Sequence, residues 1–159
     1  MLQLLTYLLF FACVLTACQE QSDKPYVRLK PSTSHQTVRE KTVIVPPEVG
    51  RRWKAVKLAV IDKTRGKENI FVVPIGTPYV IPRSALTITV EAFLPAFTMG
   101  GTTITTSSNE PENPAAKVKI YENGTPVFMG WLFSNFPNTH AVTHPKYGFS
   151  LIGVVPVGK

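Results

Sequence analysis

Lys117-Val118-Lys119-Ile120-Tyr121-Glu122-Asn123-Gly124-Thr125-Pro126-Val127-Phe128-Met129-Gly130-Trp131-Leu132-Phe133 is the stretch whose reading decides the fold. Asn123-Gly124 sits between two strand-like runs. A two-residue hairpin turn needs backbone angles that Asn and Gly tolerate best, so this pair is the strongest short-range hairpin signal a sequence offers. Two antiparallel strands are predicted here, and Trp131 and Phe133 share a face of the second with Leu132 on the other. That aromatic face is expected to pack inward and anchor the sheet.

The same logic extends outward in both directions. Tyr147 to Val155 is another β-rich run, and Leu86 to Phe93 alternates, with Leu86, Ile88, Val90 and Ala92 facing one way and Thr87, Thr89, Glu91 and Phe93 the other. Tyr79-Val80-Ile81 extends before Pro82. Trp53 to Asp62 places Val56, Leu58 and Val60 on one face, and Lys63-Thr64-Arg65-Gly66-Lys67 turns it back towards Ile70 to Val73. Thr42-Val43-Ile44-Val45 suits an edge strand stopped by Pro46-Pro47. Residues 98–114 are rich in Gly, Thr, Ser and Asn and read as a long exposed loop. There is no amphipathic helix and no internal repeat. The 14 Pro and 10 Gly suit short strands joined by turns. The predicted fold is all-β, a small antiparallel sandwich or partly closed barrel of about six to nine strands spanning 51–159.

The N-terminus is of another kind. Leu2 to Ala17 is apolar apart from Gln3, Thr6 and Thr16, too short for a comfortable membrane span and suited to the core of a signal peptide. The only positive charge ahead of it is the α-amino group of Met1. Leu15-Thr16-Ala17-Cys18 resembles the lipobox of bacterial lipoproteins. That resemblance implies removal of residues 1–17 and acylation of the Cys18 thiol. Residues 18–50 are polar and Pro-punctuated, the composition of a flexible tether. By analogy with bacterial sorting rules, Gln19 after the cysteine favours the periplasmic face of the outer membrane over the inner membrane.

Cys13 and Cys18 are the only two cysteines, so the predicted domain has no disulfide, thiolate metal site or catalytic cysteine. The formal net charge is +7, and no Lys or Arg precedes Cys18. All the basic character therefore belongs to the exported part.

Val118 to Gly124, Val127 to Phe133, Phe136-Pro137 and His144-Pro145-Lys146-Tyr147 together resemble the bacterial envelope proteins grouped as domain of unknown function 2155. The likeness covers about Arg51 to Val155. It implies an exported β domain and brings no activity or catalytic residue with it.

Candidate sites are few. The segment Arg51-Arg52-Trp53-Lys54, with the basic residues up to Lys67, suits an anionic glycan or lipid headgroup, and Trp131, Phe133 and Phe136 offer aromatic surface. His140 and His144 are four apart, a weak metal pair that lacks a third ligand. Glu91, the one acidic residue within a well-patterned strand, is the only candidate for hydrolytic chemistry. No nucleophile elbow, phosphate loop or dinucleotide fingerprint is present. The sequence therefore predicts a non-enzymatic envelope component without cofactor. Its expected partners are the membrane through the lipid, an envelope protein, and the anionic ligand as the alternative; nucleic acid is not expected.

Overall fold

A computed structural model describes residues 41–139 and 142–158. The signal segment, the lipobox with Cys18, most of the expected tether, and His140 lie outside the described residues. Within them the chain forms ten strands and one short helix: β1 (Thr42–Val43), α1 (Pro47–Arg52), β2 (Trp53–Asp62), β3 (Lys67–Pro74), β4 (Tyr79–Val80), β5 (Leu86–Leu94), β6 (Phe97–Gly100), β7 (Thr103–Thr106), β8 (Ala115–Glu122), β9 (Thr125–Phe133) and β10 (Tyr147–Pro156). None of the described helices is long and apolar enough to cross a membrane.

Two antiparallel sheets, ordered β10-β2-β3 and β4-β5-β8-β9, face each other. Strand periodicity sends alternate side chains into the space between them. Val56, Leu58, Val60, Val73, Phe149 and Leu151 enter from the first sheet; Leu86, Ile88, Val90, Val118 and Ile120 enter from the second. Phe93, Leu58, Leu86 and Ile120 are among the largest fully buried side chains. The all-β expectation holds, as a sandwich whose sheets do not close into a barrel.

The decisive hairpin forms as its residues dictate. Glu122 pairs with Thr125 across a two-residue turn, and Asn123 and Gly124 both have positive φ, 51° and 79°. That is the signature of a type I′ turn, whose twist matches the strands it joins. The β2–β3 turn is pinned by Asp62, whose Oδ1 accepts the backbone N–H of Thr64 and of Arg65, with Gly66 at φ 60°.

Some expectations need correction, the phase of β5 after Glu91 among them: Phe93, not Ala92, joins the core cluster. The stretch 98–114 is not an exposed loop: its first half forms most of the β6–β7 hairpin, and β1 adds parallel to β7. Its second half is stapled to the start of β2, where Asn109 accepts the Trp53 indole N–H at 2.9 Å and Glu110 chelates Arg52. The ordered domain also begins before Arg51. The edge strand expected at Thr42–Val45 docks as β1, and residues assigned to the tether begin α1, with Pro47 and Glu48 in its first turn and Val49 buried. Another correction is the facing of β9. Leu132 pairs with Ala116 and points into the core, so Trp131 and Phe133 lie on the outer face. There they are half-buried and capped edge-on by Phe97, with ring centroids 5.1 and 5.0 Å away.

Candidate functional site

Strand β2 separates the basic residues that the sequence offered as one region. Arg51, Arg52 and Lys54 lie at its start, Arg65 and Lys67 just beyond its end, and ten residues of strand put roughly 30 Å between them.

At the near end, Trp53 is built into the edge of the core. It is 8% exposed, edge-on to Phe93 at 6.0 Å. The Arg52 guanidinium lies 4.8 Å from the Trp53 ring centroid and is held in a fork by Glu110. That hydrogen bond pulls the Glu110 carboxyl below its ordinary range and raises Arg52. Arg51 and Lys54 remain exposed. Beside them opens a largely apolar cleft of about 410 Å³, walled by Val45, Val49, Trp53 and Phe93 and rimmed by Lys54 and Glu91.

Glu91 is the extra residue of a β-bulge: Val90 pairs with Val118 and Ala92 with Lys117, leaving Glu91 without an opposite number. Its carboxylate is held by Lys119 and by Lys117 Nζ, the latter at 3.6 Å. The hydrogen bond from Lys119 pushes its titration down, the opposite of what a general acid at neutral pH requires. No second carboxylate lines the cleft it borders.

His144 is 6% exposed and organises the approach to β10. Its Nδ1 accepts the backbone N–H of Lys146 and of Tyr147, at 3.1 and 3.0 Å, which leaves the ring proton on Nε2, facing Glu122 Oε2 at 3.3 Å. Both nitrogens are thus engaged in the turn. No group of three or more His, Cys, Asp or Glu side chains placed to hold a metal occurs among the described residues. Phe136, at 57% exposure, stands apart from the Trp131–Phe133 pair and lines neither cleft described here.

At the far end, a second cleft of about 350 Å³ opens between the β2–β3 turn and the β4–β5 turn. Arg65, Lys67 and Arg83 line it above Phe71, Pro82 and Tyr147. Arg83 is the residue that pattern reading missed. The one hint in the sequence is Pro82-Arg83-Ser84, a turn tripeptide with a cation at its centre.

The outer face of the β10-β2-β3 sheet has a different character. Registered rows there read Gly148–Ile61–Glu68, Ser150–Ala59–Ile70, Gly153–Lys57–Val72 and Val155–Ala55–Pro74. Small residues flatten it, Ile70 and Val72 are 58% and 49% exposed, and Ile152 emerges at the bulge of β10 with 45% exposure. β3 forms the rim of this face and, among the described strands, is hydrogen-bonded only to β2.

Comparison with protein families finds a match over residues 56–153 to the family described as "Uncharacterized protein conserved in bacteria (DUF2155)". The chain belongs to this family. The match runs from β2 into β10, so both facing sheets and the aromatic hairpin are DUF2155 features, whereas β1 and α1 precede the matched segment. No curated protein and no solved structure matches the chain.

Proposed function

We propose that this DUF2155 protein is an envelope lipoprotein that holds a non-enzymatic, protein-binding β domain at a membrane. Acyl chains on Cys18 anchor it, at the periplasmic face of the outer membrane, and the outer face of the β10-β2-β3 sheet receives the partner. The observation that carries the binding reading is that flat apolar face, with Ile70, Val72 and Ile152 exposed around Lys57. A soluble domain rarely leaves such an area open unless something covers it. An edge strand beside it adds a row of unpaired backbone groups suited to strand addition. Lys57, set among the apolar residues, with Lys63 and Glu68 in the end row beside Gly148, calls for a partner with an apolar sheet or strand bearing a carboxylate, in keeping with a net charge of +7 on this chain.

Photo-crosslinking in intact cells tests the surface. A crosslinker at Val72 is expected to give one discrete adduct that Lys57→Glu abolishes, while a crosslinker at Met129, on the opposite sheet, does not form it. An adduct equally strong from both positions refutes the assignment. Anchoring is tested separately by labelling with a palmitate analogue. The wild type is expected to be labelled and Cys18→Ala not, and an unlabelled wild type sinks the lipoprotein reading.

A further inference from the structure

We propose that the cleft between the β2–β3 and β4–β5 turns is an anion site that takes a phosphate ester carried on a compact polyol or sugar. This site is separate from the sheet face assigned above and stands whether or not that face binds a protein.

Charge comes first. Arg65, Lys67 and Arg83 supply three cations to the cleft, and Asp62 supplies one carboxylate, which leaves two positive charges over. Asp62 is already occupied by Thr64, whose hydroxyl and backbone N–H it accepts. Its contact to Arg65 is loose at 3.8 Å, and the Arg65 side chain is 78% exposed, free to turn towards a ligand. Lys67 and Arg83 have no ion-pair partner among the described residues. A phosphate monoester carries close to two negative charges at neutral pH, and guanidinium groups meet it through paired hydrogen bonds. The cleft's net charge and the ligand's therefore cancel.

Shape comes second. The cationic rim stands over Phe71, Pro82 and Tyr147, and Asn69 adds an amide able to donate and to accept. A volume of about 350 Å³ falls at the small end of ligand sites, room for one sugar ring or a glycerol unit with its phosphate.

The backbone supplies an independent third observation. Ile81-Pro82-Arg83-Ser84 is a turn closed by Ser84 N–H to the Ile81 carbonyl at 3.2 Å and locked by the Ser84 hydroxyl. Pro82 in second place and φ 61° in third are the pattern of a type II turn, whose third position ordinarily belongs to Gly or Asn. Here an arginine accepts the strained geometry, and its side chain lines the cleft. Strain retained at such a position marks a side chain kept for what it contacts.

The test uses the full chain in a neutral detergent, at roughly 0.15 M salt so that nonspecific attraction is screened. Glycerol 3-phosphate and glucose 1-phosphate are titrated while amide and arginine side-chain resonances are followed. In parallel, phosphatidylcholine vesicles with and without phosphatidic acid are floated with the protein. Saturable shifts at Lys67, Asn69 and Arg83 are expected. Arg83→Gly and Lys67→Gln should each weaken binding about tenfold or more, the loss of one charge-assisted contact, while Lys41→Gln leaves it unchanged. Arg83→Gly should also melt no lower than the wild type, because glycine relieves the turn; a merely structural arginine would lower the melting temperature. Tighter capture by phosphatidic acid vesicles than by the soluble esters identifies a lipid headgroup as the source, and the reverse identifies a free sugar or polyol phosphate. Absence of saturable shifts, or equal weakening by Lys41→Gln, overturns the proposal.

Discussion

His144 shows how much one side chain organises in this fold. Its Nδ1 satisfies two backbone N–H groups at the start of β10, those of Lys146 and Tyr147. His144→Ala leaves two donors unpaired, the Tyr147 N–H buried and the Lys146 N–H part-buried, and should cost about 1–3 kcal/mol. Asparagine sets its side-chain oxygen close to where Nδ1 lies, so His144→Asn should recover much of that loss. Urea unfolding of both variants decides this: if Ala and Asn are equally destabilising, the Nδ1 contacts are not what the residue contributes. Arg83 makes the contrasting case, a residue that adds strain to its own turn. Its significance rests on a backbone angle, which explains why composition and periodicity passed over it.

Among the elements, the turns carry the strictest requirements. Gly124, at φ 79°, has open space where a Cβ would stand, so any penalty for a side chain there comes from the backbone alone. Gly124→Ala should cost roughly 1–2 kcal/mol. Gly50 in α1 also has open space but no positive φ, and Gly50→Ala should gain up to about 1 kcal/mol. Thermal melts of the two variants moving in the same direction would refute this account. The β2–β3 and β8–β9 hairpins were legible in the sequence because their signals are local, an Asn-Gly pair and a Gly-bearing turn between alternating runs; the β6–β7 hairpin was not. What escaped depended on distant or cryptic facts. Alternation placed Phe93 with Thr87, Thr89 and Glu91, yet the bulge at Glu91 shifts the phase by one residue. Phe93 is thereby sent into the core and Ala92 to the outer face. The inward direction of Leu132 rather than Trp131 is fixed by its pairing with Ala116. β7 gained its parallel neighbour from Thr42–Val43, some sixty residues earlier, which no local pattern announces. Of the candidate sites, the exposed Arg51 and Lys54 and the half-covered aromatic pair were partly foreseeable. The division of the basic region by β2 was not.

At the scale of the whole domain, three carboxylates among the described residues are held below their ordinary range: Asp62 chiefly by the Thr64 hydroxyl, Glu91 by Lys119 and Glu110 by Arg52. When folded carboxyls titrate lower than unfolded ones, the unfolded chain binds more protons in acid. Their contribution is then complete above the unfolded values of about 4 and is lost as pH falls through the folded ones. Chemical unfolding should therefore give nearly constant stability from pH 7 to about 5 and a progressive fall below about 4. β1 is held to β7 by N–H groups of Thr42 and Ile44, each 2.9 Å from a carbonyl, and by the Thr105 hydroxyl. The first deeply buried apolar side chain after it is Val49. Tension applied ahead of Lys41 therefore falls on a handful of bonds before it reaches the core. Peeling 41–48 releases on the order of 25 Å of chain before the buried Val49 is pulled, so this segment is a spare length of chain that yields under load ahead of both facing sheets.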